Sequence, residues 1–339
     1  MGIISIISSK VAQDGDQDTI KLISLEALQQ IIKKMKVLVA TEKPFAKVAV
    51  DGIRNVVEGA GYEMALLEKY TDVNELYAAV ADADALIVRS DKVTKEVIDH
   101  AKNLKIVVRA GAGFDNLDLE ACTARGIVAM NTPGQNSNAV AELVMGMLVY
   151  AVRNFYNGKS GSELMGKKLG ILAFGNVGRN VARIAQGFGM DVYAFDAFCP
   201  KEAIEAAGVK AVDSRDALFE TCDIVSLHIP ATAETKNSIN YEVVNKMKKG
   251  GIVVNTARKE VINEAELLKL MGERADIRYI SDIMPDAHEE FAKLEGRYFA
   301  TPKKMGAQTE EANINAGIAA ANQIVDFFKT GNKKFQVNK

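Results

Sequence analysis

Leu169-Gly170-Ile171-Leu172-Ala173-Phe174-Gly175-Asn176-Val177-Gly178-Arg179-Asn180-Val181-Ala182 reads as an apolar strand, a tight turn and the opening of a helix. It follows the glycine-rich dinucleotide-binding fingerprint, except that Ala173 stands where the first glycine is usual. Gly175 lets the backbone approach a pyrophosphate and Gly178 lets the helix pack closely on the strand. The free N–H groups of Asn176 and Val177 then face phosphate at the helix N-terminus. Asp196, eighteen residues beyond Gly178, closes the next apolar run, Tyr193-Ala194-Phe195. A carboxylate there accepts hydrogen bonds from ribose hydroxyls and repels a 2′-phosphate, which predicts NAD over NADP. A turn that binds nothing would share the glycines; the acid at this distance favours the cofactor.

On both sides of this run, short apolar stretches alternate with helical patterns. Strands are predicted at Val37–Ala40, Ala85–Arg89, Ile106–Arg109, Ile127–Met130, Leu169–Ala173, Val192–Phe195, Ile224–Leu227, Ile252–Asn255 and Arg278–Ile283. Near-continuously apolar strands separated by helices imply parallel sheets covered on both faces. So many strands in 339 residues predict an α/β protein of two doubly wound domains, in line with about 150 residues per domain. Asn131-Thr132-Pro133-Gly134 punctuates the chain ahead of a long helical pattern from Ser137 to about Phe155. Thr309 to about Lys329 reads as one helix, too small for a domain, so it docks on one. Residues 1–34 differ from the rest of the chain: a polar break at Asp14-Gly15-Asp16-Gln17-Asp18 precedes an amphipathic pattern over Ile20–Lys34. They are read as an N-terminal extension of unknown role.

Lysine plus arginine number 42 and aspartate plus glutamate 44, so the net charge is −2 and a generally basic nucleic-acid binder is excluded. An anionic substrate then requires locally gathered cations. The cysteines Cys122, Cys199 and Cys222 fit neither a zinc pattern nor a disulfide framework, so no metal is expected and a reducing, cytoplasmic setting is. The apolar run Leu143–Val152 is far shorter than the roughly 20 residues of a membrane span. The first residues carry no basic charge ahead of their apolar stretch, which argues against a signal peptide.

Four further segments occur in a fixed order around the fingerprint. They are Arg109-Ala110-Gly111-Ala112-Gly113-Phe114-Asp115-Asn116, Asn131-Thr132-Pro133 with Asn136 and Glu142, Ser226-Leu227-His228-Ile229-Pro230, and Val254-Asn255-Thr256-Ala257-Arg258. With them the chain resembles the D-isomer-specific 2-hydroxyacid dehydrogenases over about Met35 to Phe328, and within that family the short branch acting on 3-phosphoglycerate. The resemblance implies a Rossmann NAD domain, residues 132–306, inserted into a flavodoxin-like substrate domain built from 35–131 and 307–339. It also implies a homodimer through the NAD domains, with the helix after Ser137 contributing, and an active site in the cleft between domains. Arg258 corresponds to the arginine that holds the substrate carboxylate, a task suited to an always-charged bidentate donor. Thr256 and Ala257 belong to the same cofactor-facing loop as Arg258. Asp282 corresponds to the aspartate bonding the nicotinamide amide, and His228 and Pro230 to a cofactor-lining loop. Backbone N–H groups of Ala112 and Gly113 correspond to the substrate-carboxylate cradle. Arg89 and Ser90, at the end of an apolar strand, correspond to the phosphate site, with Lys43 a further source of charge.

The chain departs from the family where a Thr-Pro-His segment usually carries the catalytic histidine, for here it reads Thr301-Pro302-Lys303-Lys304-Met305-Gly306. Aligned on Gly306, which fixes the turn beside the cofactor, the base is Lys304; aligned on Thr301-Pro302 it is Lys303. The supporting glutamate is absent too, with Asp286 the nearest carboxylate. The two changes agree physically. A lysine must be lowered from about 10.4 to act as a base at neutral pH, burial and Arg258 would lower it, and a glutamate beside it would raise it. His288 is misplaced relative to Gly306 for this role, and the glycines that commonly follow the arginine are replaced by Lys259-Glu260. The resemblance implies NAD-dependent oxidation of 3-phosphoglycerate to 3-phosphohydroxypyruvate, in serine biosynthesis. Two alternatives stay open: another D-2-hydroxyacid dehydrogenase, such as a hydroxypyruvate or glyoxylate reductase, and a non-catalytic NAD sensor on the same fold.

Overall fold

The computed structural model describes residues 34–338. The extension 1–34 and its amphipathic pattern therefore lie outside the described residues, Lys34 apart. Five strands, β1 (Lys36–Thr41), β2 (Glu63–Glu68), β3 (Ala85–Val88), β4 (Ile106–Arg109) and β5 (Val128–Asn131), form a parallel sheet in the order β2-β1-β3-β4-β5. Seven more form a second parallel sheet. They are β6 (Lys168–Leu172), β7 (Asp191–Phe195), β8 (Lys210–Ala211), β9 (Ile224–Leu227), β10 (Ile252–Asn255), β11 (Arg278–Ser281) and β12 (Tyr298–Ala300), in the order β12-β11-β10-β9-β6-β7-β8. The first order is the flavodoxin-like one and the second the dinucleotide-binding one with a strand added, so the doubly wound α/β class holds. In such sheets ligands sit outside the carboxyl ends of the strands where the order reverses, between β1 and β3 and between β6 and β9 here.

The nine predicted strands are present within one or two residues at each end. Ala85–Arg89 stops at Val88, Leu169–Ala173 at Leu172 and Arg278–Ile283 at Ser281. The residues trimmed off these runs are carboxyl-end loop residues, at the edge of each sheet where ligands bind. β2, β8 and β12 are not predicted from the sequence. β2 is an edge strand with one buried residue, and the other two are only two and three residues long.

The helix Ser137–Val152 buries Val144, Leu148 and Ala151 in the core of the seven-stranded sheet and packs on the helix Asn176–Gly187. The last helix, Glu310–Thr330, starts where Thr309 Oγ1 accepts from Ala312 N–H and ends at Gly331 in the left-handed region. Its Ala316, Ala320, Ala321 and Ile324 enter the core of the five-stranded sheet against the helix Lys47–Gly59. The chain after it lies along β5, where Val337 N–H donates to Ala129 O and Asn338 Oδ1 accepts from Ala129 N–H. Among the described residues no helix is long and apolar enough to cross a membrane.

Ala173 occupies the first-glycine position of the fingerprint with φ +79°. That region costs an L-residue about 1–2 kcal/mol, whereas glycine enters it freely at an unfolded-state entropy cost of about 0.5–1 kcal/mol. Ala173→Gly is therefore expected to stabilise the fold by about 0.5–1 kcal/mol net. Urea unfolding measures this, and a lowered midpoint would refute it.

Candidate active site

The carboxyl ends of the two sheets face one another across a cleft of about 640 Å³. On the side of the seven-stranded sheet, Gly175 caps the helix Asn176–Gly187 with no side chain over its first N–H groups. A Cβ on Gly178 would stand 2.4 Å from Ala173 O, so only glycine permits this helix-to-strand approach, while one on Gly175 would meet nothing within 4 Å. The space beside Gly175 and the uncovered N–H groups of Asn176 and Val177 fit a pyrophosphate. Asp196, just past β7, accepts from Phe174 N–H (2.7 Å) through one oxygen and from Phe198 (2.7 Å) and Cys199 (2.9 Å) N–H through the other. The acid is thus fixed in direction and ties the loop after β7 to the fingerprint turn.

Beyond β9, His228 Nε2 lies 2.9 Å from Ser226 Oγ, and burial lowers its pKa to about 4, so it is neutral at physiological pH. Pro230 follows in the same loop and accepts from Thr235 Oγ1. Beyond β10, Asn255 shapes the next loop: its Oδ1 accepts from Ala257 N–H and its Nδ2 donates to Arg258 O. Thr256 Oγ1 is buried without a hydrogen-bond partner. An orphaned hydroxyl in the expected cofactor loop fits a group that arrives with the ligand.

Asp282, 0% exposed, follows β11 and accepts from Thr301 Oγ1 (3.0 Å) and Met305 N–H (2.7 Å) at Oδ1 and from Gly306 N–H (2.8 Å) at Oδ2. A Cβ on Gly306 would stand 2.9 Å from that carboxylate, so the glycine is what lets the turn close on Asp282. This turn carries Lys304, whose Nζ reaches to 3.4 Å from Ala257 O. The residue as a whole is exposed, yet its ammonium end sits among protein atoms. Desolvation first, and the Arg258 guanidinium second, lower its pKa below the ordinary lysine value, against the raising influence of Asp282, Asp115 and Glu260. Lys303 lines the same cleft.

From the five-stranded side come Lys43, Arg89, Ser90, Arg109 and the loop through Ala112 and Gly113. Arg89 is held by Lys43 O (3.2 Å), Pro44 O (3.0 Å) and Asn313 Oδ1 (2.7 Å), with its guanidinium 5.1 Å from the Phe45 ring centre. Arg109 donates from Nε to Arg89 O (2.9 Å). Burial, and then the neighbouring Arg89 and Arg258, lower its pKa. Ala112 O accepts from Asn131 Nδ2 (2.6 Å), while among the described residues no acceptor meets the N–H of Ala112 or Gly113.

One expected partner is not brought to the lysine. Asp286 is exposed and ion-paired with Lys259 (2.6 Å), its N–H bonded to Glu264. It does not reach Lys304: its carboxylate lies at the surface, paired with Lys259, which stands where the family commonly has glycine. His288 bonds Tyr298 OH through Nδ1 (2.9 Å) and does not line the cleft. The sequence alone gives no site role to Arg109, Asp115, Gln308 or Asn313, all of which line it. A signal for Arg109 does exist: Arg89 follows β3 and Arg109 ends the adjacent β4, so both belong to one sheet edge.

Residues 126–296 match the sequence profile of the D-isomer specific 2-hydroxyacid dehydrogenase NAD binding domain. The chain is 38% identical over 267 residues to a D-3-phosphoglycerate dehydrogenase of Methanocaldococcus jannaschii, covering 74% of this chain and 51% of that protein. It is 36% identical over 282 residues to a hydroxypyruvate reductase of Thermotoga maritima, covering 77% and 90%. The crystal structure of NAD+-bound 3-phosphoglycerate dehydrogenase from Entamoeba histolytica matches with TM-score 0.79 at 49% identity, covering 90% of this chain and 99% of that one. The chain spans about half the length of the curated phosphoglycerate dehydrogenases it matches.

Proposed function

Because the chain belongs to the D-isomer-specific 2-hydroxyacid dehydrogenases, we propose that it uses NAD to oxidise the C2 hydroxyl of 3-phosphoglycerate to 3-phosphohydroxypyruvate. One observation carries the substrate choice. Lys43, Arg89, Arg109, Arg258, Lys303 and Lys304 line a single cleft in which Asp115 is the one lining carboxylate among the described residues. In a chain of net charge −2, that concentration exceeds what one carboxylate needs and suits a substrate bearing both a carboxylate and a phosphate.

NAD, bound along Gly175–Gly178, Asp196, the His228–Pro230 loop, Thr256 and Ala257, supplies the two-electron acceptor. Arg258 and the Ala112 and Gly113 N–H groups hold the substrate carboxylate and orient C2. Arg89, with Ser90, Lys43 and Arg109, receives the phosphate. Lys304, in its neutral form, accepts the C2 hydroxyl proton. Asp282 anchors the turn presenting that lysine. We assign residues 35–131 and 307–339 to the substrate unit and 132–306 to the NAD unit. Two chains pair through the NAD units along Ser137–Val152, a reading supported by the apolar surface of Tyr156 (64% exposed) and Met165 (71%) nearby. The enzyme acts in the cytoplasm at the first step of serine synthesis.

Turnover of 3-phosphoglycerate, D-lactate and glycerate, each with NAD and NADP, tests the reading. The expected result is preference for 3-phosphoglycerate with NAD. Preference for glycerate would instead favour a hydroxypyruvate reductase, as the Thermotoga relative suggests. Turnover of none would favour an NAD sensor. Arg89→Ala should raise KM strongly for 3-phosphoglycerate and little for an unphosphorylated acid, since lost uniform binding appears in KM. Asp196→Ala should weaken NAD use and narrow the NAD/NADP gap, and an unchanged preference would remove Asp196 from the cofactor site.

A further inference from the structure

Three loops at the carboxyl edge of the five-stranded sheet converge on one carboxylate. Asp91, 4% exposed and two residues past Arg89, accepts at Oδ1 from Glu42 N–H (2.6 Å) and the Tyr70 hydroxyl (2.9 Å), and at Oδ2 from Arg89 N–H (3.3 Å). Its own carbonyl accepts from Asn116 Nδ2 (2.7 Å). The Arg89 guanidinium closes a ring by donating back to Lys43 O and Pro44 O. The 42–44 segment is therefore gripped at one end by Asp91 and at the other by Arg89. A buried carboxylate is tolerated when hydrogen-bond donors surround it, and such a hub fixes whatever it joins.

We propose that Asp91 is a positioning residue for phosphorylated substrates: by clamping the 42–44 segment to the end of β3, it fixes Lys43 and Arg89 on one wall of the cleft. This rests on the phosphate role proposed for that wall. The geometry separates positioning from field by sign. Asp91→Ala removes a negative charge that acts on Arg89, so a purely electrostatic role predicts tighter anion binding. Positioning predicts the reverse, because alanine leaves the Glu42 N–H, the Tyr70 hydroxyl and the Arg89 N–H without their acceptor and frees the segment.

For Asp91→Ala, KM for 3-phosphoglycerate should rise by about tenfold, with kcat within about twofold and KM for glycerate and for NAD unchanged. Tyr70→Phe keeps the buried ring and loses one donor. It should move KM the same way by about threefold, the scale of a single lost hydrogen bond, and it carries the test if the alanine variant does not fold. An unchanged or lowered KM for 3-phosphoglycerate, or an equal rise for both substrates, overturns the proposal. Inorganic phosphate, used as a competitive inhibitor of whichever 2-hydroxy acid is turned over, gives a readout that survives failure of the substrate assignment. Its inhibition constant should rise in both variants, and a constant left unchanged refutes the clamp.

Discussion

Lys304→Ala is expected to lower kcat by about 10²–10⁴-fold while NAD still binds, the range a general base contributes. The lysine is presented by a turn held through Asp282, and its ammonium is pushed below the ordinary lysine pKa by burial and by Arg258. A protonated lysine cannot take the C2 proton, so oxidation is slow at low pH and rises as pH passes through the lowered pKa. Reduction needs the protonated form and falls over the same interval. The inflection of kcat/KM should therefore lie below that of an ordinary lysine and vanish in the variant. Lys303→Ala should lose much less, since that side chain makes no hydrogen bond within the turn and carries only a share of the cleft's charge. His288→Ala should be nearly silent, its ring being bonded to Tyr298 away from the cleft. Near-normal turnover by Lys304→Ala would end the mechanism, and a dead Lys303→Ala would transfer the role.

The sheets were legible because strands buried on both faces must be mostly apolar, as Ala85–Val88 is at every position and Ile252–Asn255 and Ile224–Leu227 are at three of four. The edge strand Glu63–Glu68 escaped because both of its faces are only partly covered, with Met64 alone buried, and glutamates close its short apolar run at each end. On the cofactor side, glycine positions and the terminal acid are backbone requirements, and backbone requirements leave marks in sequence. The substrate side depends on long-range closure. Asn313 reaches Arg89 only because the last helix returns to the first sheet, and no local pattern predicts a contact across 224 residues. Asp286 failed as a predicted partner for a related reason. Counting along the chain placed it near the lysine, but the fold sets it at the surface, where it pairs with Lys259 on another loop. Asp91 gives no signal beside Arg89, since a lone aspartate after a strand ordinarily means a turn.

Arg258→Leu should cost about 10²–10³-fold in kcat/KM, because losing one preorganised charged donor at the reacting group costs ~2.7–4 kcal/mol and each 1.36 kcal/mol is tenfold. The loss has two separable parts. The substrate carboxylate loses its guanidinium fork, which no backbone N–H at Ala112 or Gly113 replaces. Lys304 loses the cation that repels its proton, so its pKa climbs toward the ordinary lysine value and the rising limb of the oxidative profile moves to higher pH. Arg258→Lys separates the two. An ammonium in the same place restores much of the repulsion and returns the limb toward its original position, but it lacks the planar fork and leaves most of the binding loss. Asn255 should keep the loop in place in both variants, as its amide bonds only the backbone of residues 257 and 258. A limb that stays put in Arg258→Leu would mean that burial alone sets the lysine. Full recovery of kcat/KM in Arg258→Lys would mean that the arginine acts as a point charge and orients nothing.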